Sequence, residues 1–380
     1  MSENEYIYRL LTPSIEEAHR YFQVIVVTGP RQSGKTSLCR HLYPDYKYVN
    51  LEDITTRALA LSDPTNFIDS IGEKVIIDEA QNVPELMSLI QVKVDQDKYR
   101  KYILTGSSNF SLLQTVSQSL AGRAALFTLL PFSIAEIRGL IANKSNWEVI
   151  CQGMYPGVVA DGIPDYLFYQ NYYNTYVERD LRTLLNVKNL VAFDRFIRLV
   201  ASRVGAEMSA SALARETGVS SVTIAEWLSI LETSYIIFPL RPFASNVSKV
   251  LTKMPKYYFV DTGLLCFLLG IESVEQLVRS QLKGAIFENM AMSELVKQRY
   301  NIGRNPRINF YREKSGKEVD AIEQVSGGFN LYEVKATDTF RVDFTKNMKE
   351  IGQKLGTVDK MTVIYNGITI PGTAVNLRDI

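Results

Sequence analysis

The run Val24-Ile25-Val26-Val27-Thr28-Gly29-Pro30-Arg31-Gln32-Ser33-Gly34-Lys35-Thr36 constrains this chain more than any other stretch. Its β-branched start predicts a strand, a glycine-rich turn follows, and Ser37-Leu38-Cys39-Arg40-His41-Leu42 carries apolar residues at helical spacing. The turn fits G-x-x-x-x-G-K-[ST], a phosphate-binding loop between a strand and a helix. Gly29 and Gly34 permit backbone angles that a Cβ would block. Amides from Gln32 to Thr36 can then point at phosphate oxygens, at the positive end of the helix. Lys35 is expected to neutralise the β- and γ-phosphates, and the Thr36 hydroxyl to ligate Mg²⁺. The expected nucleotide contacts are Gly29, Pro30, Arg31, Gln32, Ser33, Gly34, Lys35, Thr36 and Ser37. A plain glycine turn is the alternative, and it requires the strand–turn–helix context to be accidental.

At 380 residues the chain exceeds one ordinary core and predicts two or three domains. A net charge of +1 gives no global pull toward nucleic acid or membrane, so any nucleic-acid surface must be a local patch. Cys39, Cys151 and Cys266 are scattered, and with only His19 and His41 beside them a His-rich metal site is excluded. Few, unpaired cysteines, a polar acidic N-terminus and no apolar run of bilayer length are expected of a cytoplasmic protein without membrane partners.

Residues 6 to 22 read as helical, with Pro13-Ser14 opening the regular part, and Tyr48-Val49-Asn50-Leu51 as the second strand. Lys74-Val75-Ile76-Ile77-Asp78-Glu79-Ala80-Gln81 is an apolar strand ending in two carboxylates. Asp78 is expected to hold Mg²⁺ and Glu79 to polarise the attacking water; the alternative is a favourable acidic helix start. Lys101 to Asn109 is a further strand with a polar tip, where Ser108 and Asn109 are candidate sensors of the γ-phosphate or simply loop residues. Arg123, before the apolar run Ala124 to Leu130, is a candidate hydrolysis trigger or a surface charge. This alternation predicts an α/β parallel sheet with ligand at the strands' C-terminal ends.

Tyr166, Tyr169, Tyr172, Tyr173 and Tyr176 recur at helical spacing and read as a packing face rather than a stacking platform, and Arg179 follows as a residue able to reach a nucleotide. Met208 to Leu228 reads as a helix-turn-helix. Ser209 or Ser211 caps the first helix, Gly218 closes it, and Ser220 or Ser221 caps a second with Ile224, Trp227, Leu228 and Leu231 inward. Ser234 to Phe238 suggests a wing. Glu226 and the scarcity of basic residues on the second helix oppose base reading, while Arg241, Lys249, Lys253 and Lys256 supply downstream positive charge; DNA binding and a purely structural role stay open.

The last stretch reads as a helix (285 to 300), three strands (308 to 312, 318 to 325, 329 to 337), a helix (343 to 355) and a strand (361 to 365), the core order of a restriction-endonuclease-like fold. Glu333 and Lys335, two apart, share one face of a strand. With Asp320 and with Glu288 from the helix they make a candidate site in which Glu288, Asp320 and Glu333 ligate Mg²⁺ and Lys335 orients a water. Alternating charges on solvent faces of strands give the competing explanation.

Taken together, Gly29 to Thr36, Ile77 to Gln81, Leu104 to Ser108, Gly122-Arg123, Val260 to Leu264, Phe287-Glu288-Asn289, Glu318 to Asp320 and Glu333 to Lys335 resemble one widespread prokaryotic family. Its members are AAA-type ATPases with a C-terminal endonuclease-like domain of unknown function. The resemblance implies ATP at Gly29 to Thr36, Mg²⁺ on Thr36 and Asp78, hydrolysis assisted by Glu79, and a nuclease-like site at Glu288, Asp320, Glu333 and Lys335. DNA or RNA and a homo-oligomer are further partners to test. The expected domains are a P-loop NTPase sheet (1–160), a helical and winged-helix domain (161–270) and a restriction-endonuclease-like domain (271–380).

Overall fold

The computed structural model describes residues 6–107, 119–175, 189–243, 254–313 and 315–380. Ser108, Asn109, Tyr176, Arg179, Lys249 and Lys253 lie outside them. The chain forms two compact units, one of residues 1–132, 233–235 and 299–304, the other of the remainder. The expected boundary near 160 thus falls earlier, after Phe132.

The first unit is a five-stranded parallel sheet in the order β2-β3-β4-β1-β5. Its strands are β1 (Val24–Thr28), β2 (Lys47–Asn50), β3 (Lys74–Asp78), β4 (Lys101–Gly106) and β5 (Ala124–Thr128). Every residue of β1 is buried because helices cover both faces. Val24 and Val26 pack with Val75, Ile77, Ile90 and Leu104 on one side. Ile25 and Val27 pack with Leu11, Ile15, Leu38 and Ile103 on the other. The helix Thr12–Tyr21 has proline in its first turn, and Asp53 caps the helix Ile54–Ser62 by accepting from the Thr56 amide. In parallel register Thr28 lies beside Gly106 and Thr128, and Asn50 beside Asp78, so one edge of the sheet collects every strand end.

The second unit holds a seven-stranded mixed sheet, β12-β11-β10-β9-β8-β6-β7. These strands are β6 (Ile237–Pro242), β7 (Lys256–Phe259), β8 (Ile308–Arg312), β9 (Glu318–Val325), β10 (Gly328–Lys335), β11 (Val358–Tyr365) and β12 (Ala374–Asn376). β8, β9 and β10 run antiparallel, β10 and β11 parallel. The helix Lys346–Leu355 covers one face through Met348 and Ile351, which meet Val319, Leu331 and Val363. The stretch expected as a wing, Ser234 to Phe238, runs into β6, which pairs antiparallel with β7 and parallel with β8. The stretches expected as domains 161–270 and 271–380 therefore share one sheet.

Ahead of β6 in the chain, the expected helix-turn-helix forms as Ala210–Thr217 and Ser221–Thr233. Ser209 accepts from the Ala212 amide, Ser220 from the Thr223 amide, and Gly218 turns left-handed at φ 76°. Ile224, Trp227, Leu228 and Leu231 are buried as expected. Tyr169, Tyr172 and Tyr173 are core residues, which suits a packing face, whereas Tyr166 is exposed. No helix among the described residues is long and apolar enough to cross a membrane.

Candidate functional site

The phosphate-binding loop follows β1 at the collecting edge. Gly29 has φ 149°, and a Cβ there would stand 2.1 Å from the Leu129 carbonyl oxygen, so only glycine fits. Gly34 (φ 91°) opens the helix Lys35–Leu42, and Gln32 (φ 60°) is held left-handed although it carries a side chain. Such a conformation costs about 1–3 kcal/mol and persists where the surroundings impose it. Arg9 imposes part of it from behind: this buried guanidinium donates to the Ser33 carbonyl at 2.8 Å and the Leu130 carbonyl at 2.6 Å. Arg31 reaches out to Glu52 at 3.3 Å.

Lys35 is buried, and its Nζ donates to the Gly29 carbonyl at 3.0 Å and the Pro30 carbonyl at 2.7 Å. Burial pulls its pKa down to about 8, with Glu79 and Asp78 pulling the other way. Asp78, at the tip of β3, is held by three hydroxyls. Thr36 donates at 2.8 Å and Tyr48 at 2.7 Å to Oδ2, and Thr105 to Oδ1. Glu79 turns left-handed (φ 53°), and its Oε2 accepts from the Ser107 hydroxyl at 2.9 Å and from Gln81. A cleft of about 450 Å³ runs from Thr36 and Ser37 along Arg40, Tyr43 and Tyr48.

These residues fit a nucleotide and a hard cation on their own chemistry. The Ser33 hydroxyl is buried in the loop without a hydrogen-bond partner among the described residues. Thr36 and Asp78 offer adjacent hydroxyl and carboxylate oxygens, the donors Mg²⁺ prefers. Arg123, for which a trigger and a surface charge were the two expectations, lies away from the loop. It precedes β5, whose Ala124 pairs with Val24 at the start of β1, the end of the sheet opposite the loop. Its guanidinium forms a bidentate pair with Asp95 at 2.5 and 2.8 Å, an arrangement that suits the surface-charge alternative. Thr105 and Ser107 were missed, although the polar tip of β4 pointed to that place. Arg9 left no signal in the sequence.

In the second unit Asp320 and Glu333 lie on neighbouring strands β9 and β10. Asp320 Oδ2 accepts from the Val334 amide at 2.8 Å, and Lys335 Nζ sits 2.7 Å from Glu333 Oε1 and 4.0 Å from Asp320 Oδ2. Glu288 joins from the helix Lys283–Asn301, accepting from the Tyr258 hydroxyl at 2.5 Å. Burial, then Asp320 nearby, pushes Glu288 and Glu333 up to about 7. Burial works against the Lys335 ammonium, but Asp320 and Glu333 outweigh it and raise its pKa. Lys256, expected among residues facing nucleic acid, is instead buried on Glu318, 3.8 Å from Glu288. The donor chemistry fits a hard divalent cation, and Glu333 Oε2 is buried without a hydrogen bond among the described residues. Yet no three carboxylates among the described residues form a ready-made cage.

A loop of this form on a five-stranded parallel α/β sheet has the architecture of a P-loop domain. Residues 21–138 match the family model of an AAA domain. Residues 143–275 and 283–376 match two domains of unknown function, DUF8612 and DUF4143. Uncharacterized proteins of Mycobacterium bovis and Mycobacterium tuberculosis are each 28% identical over 347 residues, covering 90% of this chain and 76% of their own. Among solved structures, the Walker-type ATPase PABY2304 of Pyrococcus abyssi aligns at TM-score 0.46 and 16% identity, covering 70% of this chain and 97% of its own. The RuvB Holliday junction branch migration motor of Thermotoga maritima aligns at TM-score 0.31 and 14% identity, over 60% of this chain and 86% of its own.

Proposed function

We propose that this chain is a Mg²⁺-dependent ATPase whose nucleotide state governs a nuclease-like C-terminal site acting on DNA or RNA. The observation that carries the first half is the fixed pair at the tip of β3, with Asp78 gripped by Thr36, Tyr48 and Thr105 and Glu79 aimed by Ser107. Lys35 leaves the loop carbonyls for the phosphates, and the loop amides bind their oxygens. Thr36 and Asp78 hold Mg²⁺, which when bound neutralises phosphate charge. Glu79 accepts a proton from the attacking water, and its bond to Ser107 keeps it oriented.

For the second half, Asp320, Glu333 and Glu288 are the cation ligands, and Lys335 supports the water and the developing negative charge. Incubating the purified chain with DNA and with RNA in Mg²⁺ or Mn²⁺ tests it. Cleavage is expected to vanish in Asp320→Ala and to fall in Lys335→Ala while ATP turnover persists. A second reading has the C-terminal domain bind a partner or nucleic acid without cutting. It is favoured by the lysines already seated on Glu333 and Glu318. Polymer binding without cleavage by the wild type would establish it.

A further inference from the structure

Lys256 is a buried cation at the C-terminal site to which the reading above gives no role. β7 alternates, so Lys256 and Tyr258 share one face, and both turn to the carboxylates. Tyr258 donates to Glu288 Oε1 at 2.5 Å, and Lys256 Nζ, 3.8 Å from that oxygen, donates to Glu318 Oε1. The Phe310 ring lies 5.2 Å from the ammonium, and the Lys256 side chain is only 7% exposed. So enclosed, it cannot serve as a phosphate-facing cation.

The cluster divides into two halves, each with its own ammonium. Lys335 lies between Glu333 and Asp320, Lys256 between Glu318 and Glu288. Arg312 approaches the outer oxygen of Glu318 at 3.6 Å. Lys335 is about one-third exposed and can turn outward, whereas Lys256 is fixed. Moreover, Lys256 comes from the segment matched at 143–275, while all four carboxylates lie in the segment matched at 283–376.

We propose that Lys256 is an internal counter-cation that competes with a divalent cation for the C-terminal carboxylates. The proposal rests on the reading of this cluster as a divalent-cation site. The ammonium, anchored on Glu318, stands 3.8 Å from Glu288 Oε1, and its charge repels a cation arriving at that ligand in a poorly screened setting. Glu333 Oε2, buried and without a hydrogen bond among the described residues, offers its lone pairs to an incoming ion. Uptake is then weak while Lys256 stays seated and strong once its charge is removed.

The test uses Mn²⁺ and the full chain without nucleotide, carrying Asp78→Asn so that the first unit's carboxylate does not contribute. Free Mn²⁺ is counted by electron paramagnetic resonance. Adding Lys256→Gln is expected to tighten binding of one Mn²⁺ at least tenfold. Lys256→Arg, which keeps the charge, should bind as the background does, and Asp320→Asn should abolish the gain. Near-ultraviolet circular dichroism checks the fold, and Lys256→Met, an apolar match for the wall at Phe310, replaces the glutamine if that unfolds. Asp320-dependent binding that loss of the Lys256 charge leaves unchanged or weakens overturns this inference alone. Absence of Asp320-dependent binding in every variant overturns the cation-site reading together with it.

Discussion

Replacing Lys35 by methionine should make the nucleotide-free protein more stable while destroying its affinity for nucleotide. Holding the Lys35 ammonium buried lowers its pKa from 10.5 to about 8. That difference corresponds to about 3 kcal/mol at pH 7, set against folding. Methionine removes the charge but forfeits the bonds to the Gly29 and Pro30 carbonyls, each worth about 1 kcal/mol. A net gain of about 1 kcal/mol should raise the melting temperature of this unit by about 3 °C. The pH dependence identifies the cause. Between the folded pKa near 8 and the unfolded value of 10.5, the unfolded chain binds a proton that the folded one lacks, so the parent gains stability as pH rises. Calorimetry should therefore find the advantage of Lys35→Met at pH 7 and see it shrink by about pH 9.5. Added Mg²⁺–ATP should raise the melting temperature of the parent alone. A variant that melts below the parent at both pH values would refute the reasoning.

Gly29→Ala should lose nucleotide binding and about 1–3 kcal/mol of stability, because its Cβ would overlap the Leu129 carbonyl; chemical denaturation measures the loss. Arg123→Ala should leave ATP turnover and melting temperature nearly unchanged, since its pair with Asp95 is solvent-exposed and remote from the loop. A hundredfold fall in turnover would instead show Arg123 serving the site of another copy.

What could be read in the sequence was whatever is contiguous. The phosphate loop, the Asp78-Glu79 tip and the Glu333-x-Lys335 face each sit within one element, where period and spacing fix orientation. The order of helix and strands after residue 283 was legible for the same reason. For Arg123 trigger and surface charge stayed open, because a short apolar run marks a strand without saying which end of the sheet its flanking residue occupies. Lys256 was misjudged because charge alone suggests exposure. Its burial depends on Glu318, 62 positions away, and on a hairpin that extends the C-terminal sheet. Arg9 reaches Leu130 across 121 positions, a contact no local pattern records.

Binding and turnover of ATP measured side by side in wild type and Glu79→Gln test the central claim most directly. Glutamine keeps the size of Glu79 and can still bond Ser107, but it cannot accept the water's proton. The account predicts Mg²⁺-dependent hydrolysis by the wild type, unchanged ATP affinity in Glu79→Gln, and turnover lower by about 10² to 10⁴. Turnover equal to that of the wild type, or binding lost along with it, would contradict the account.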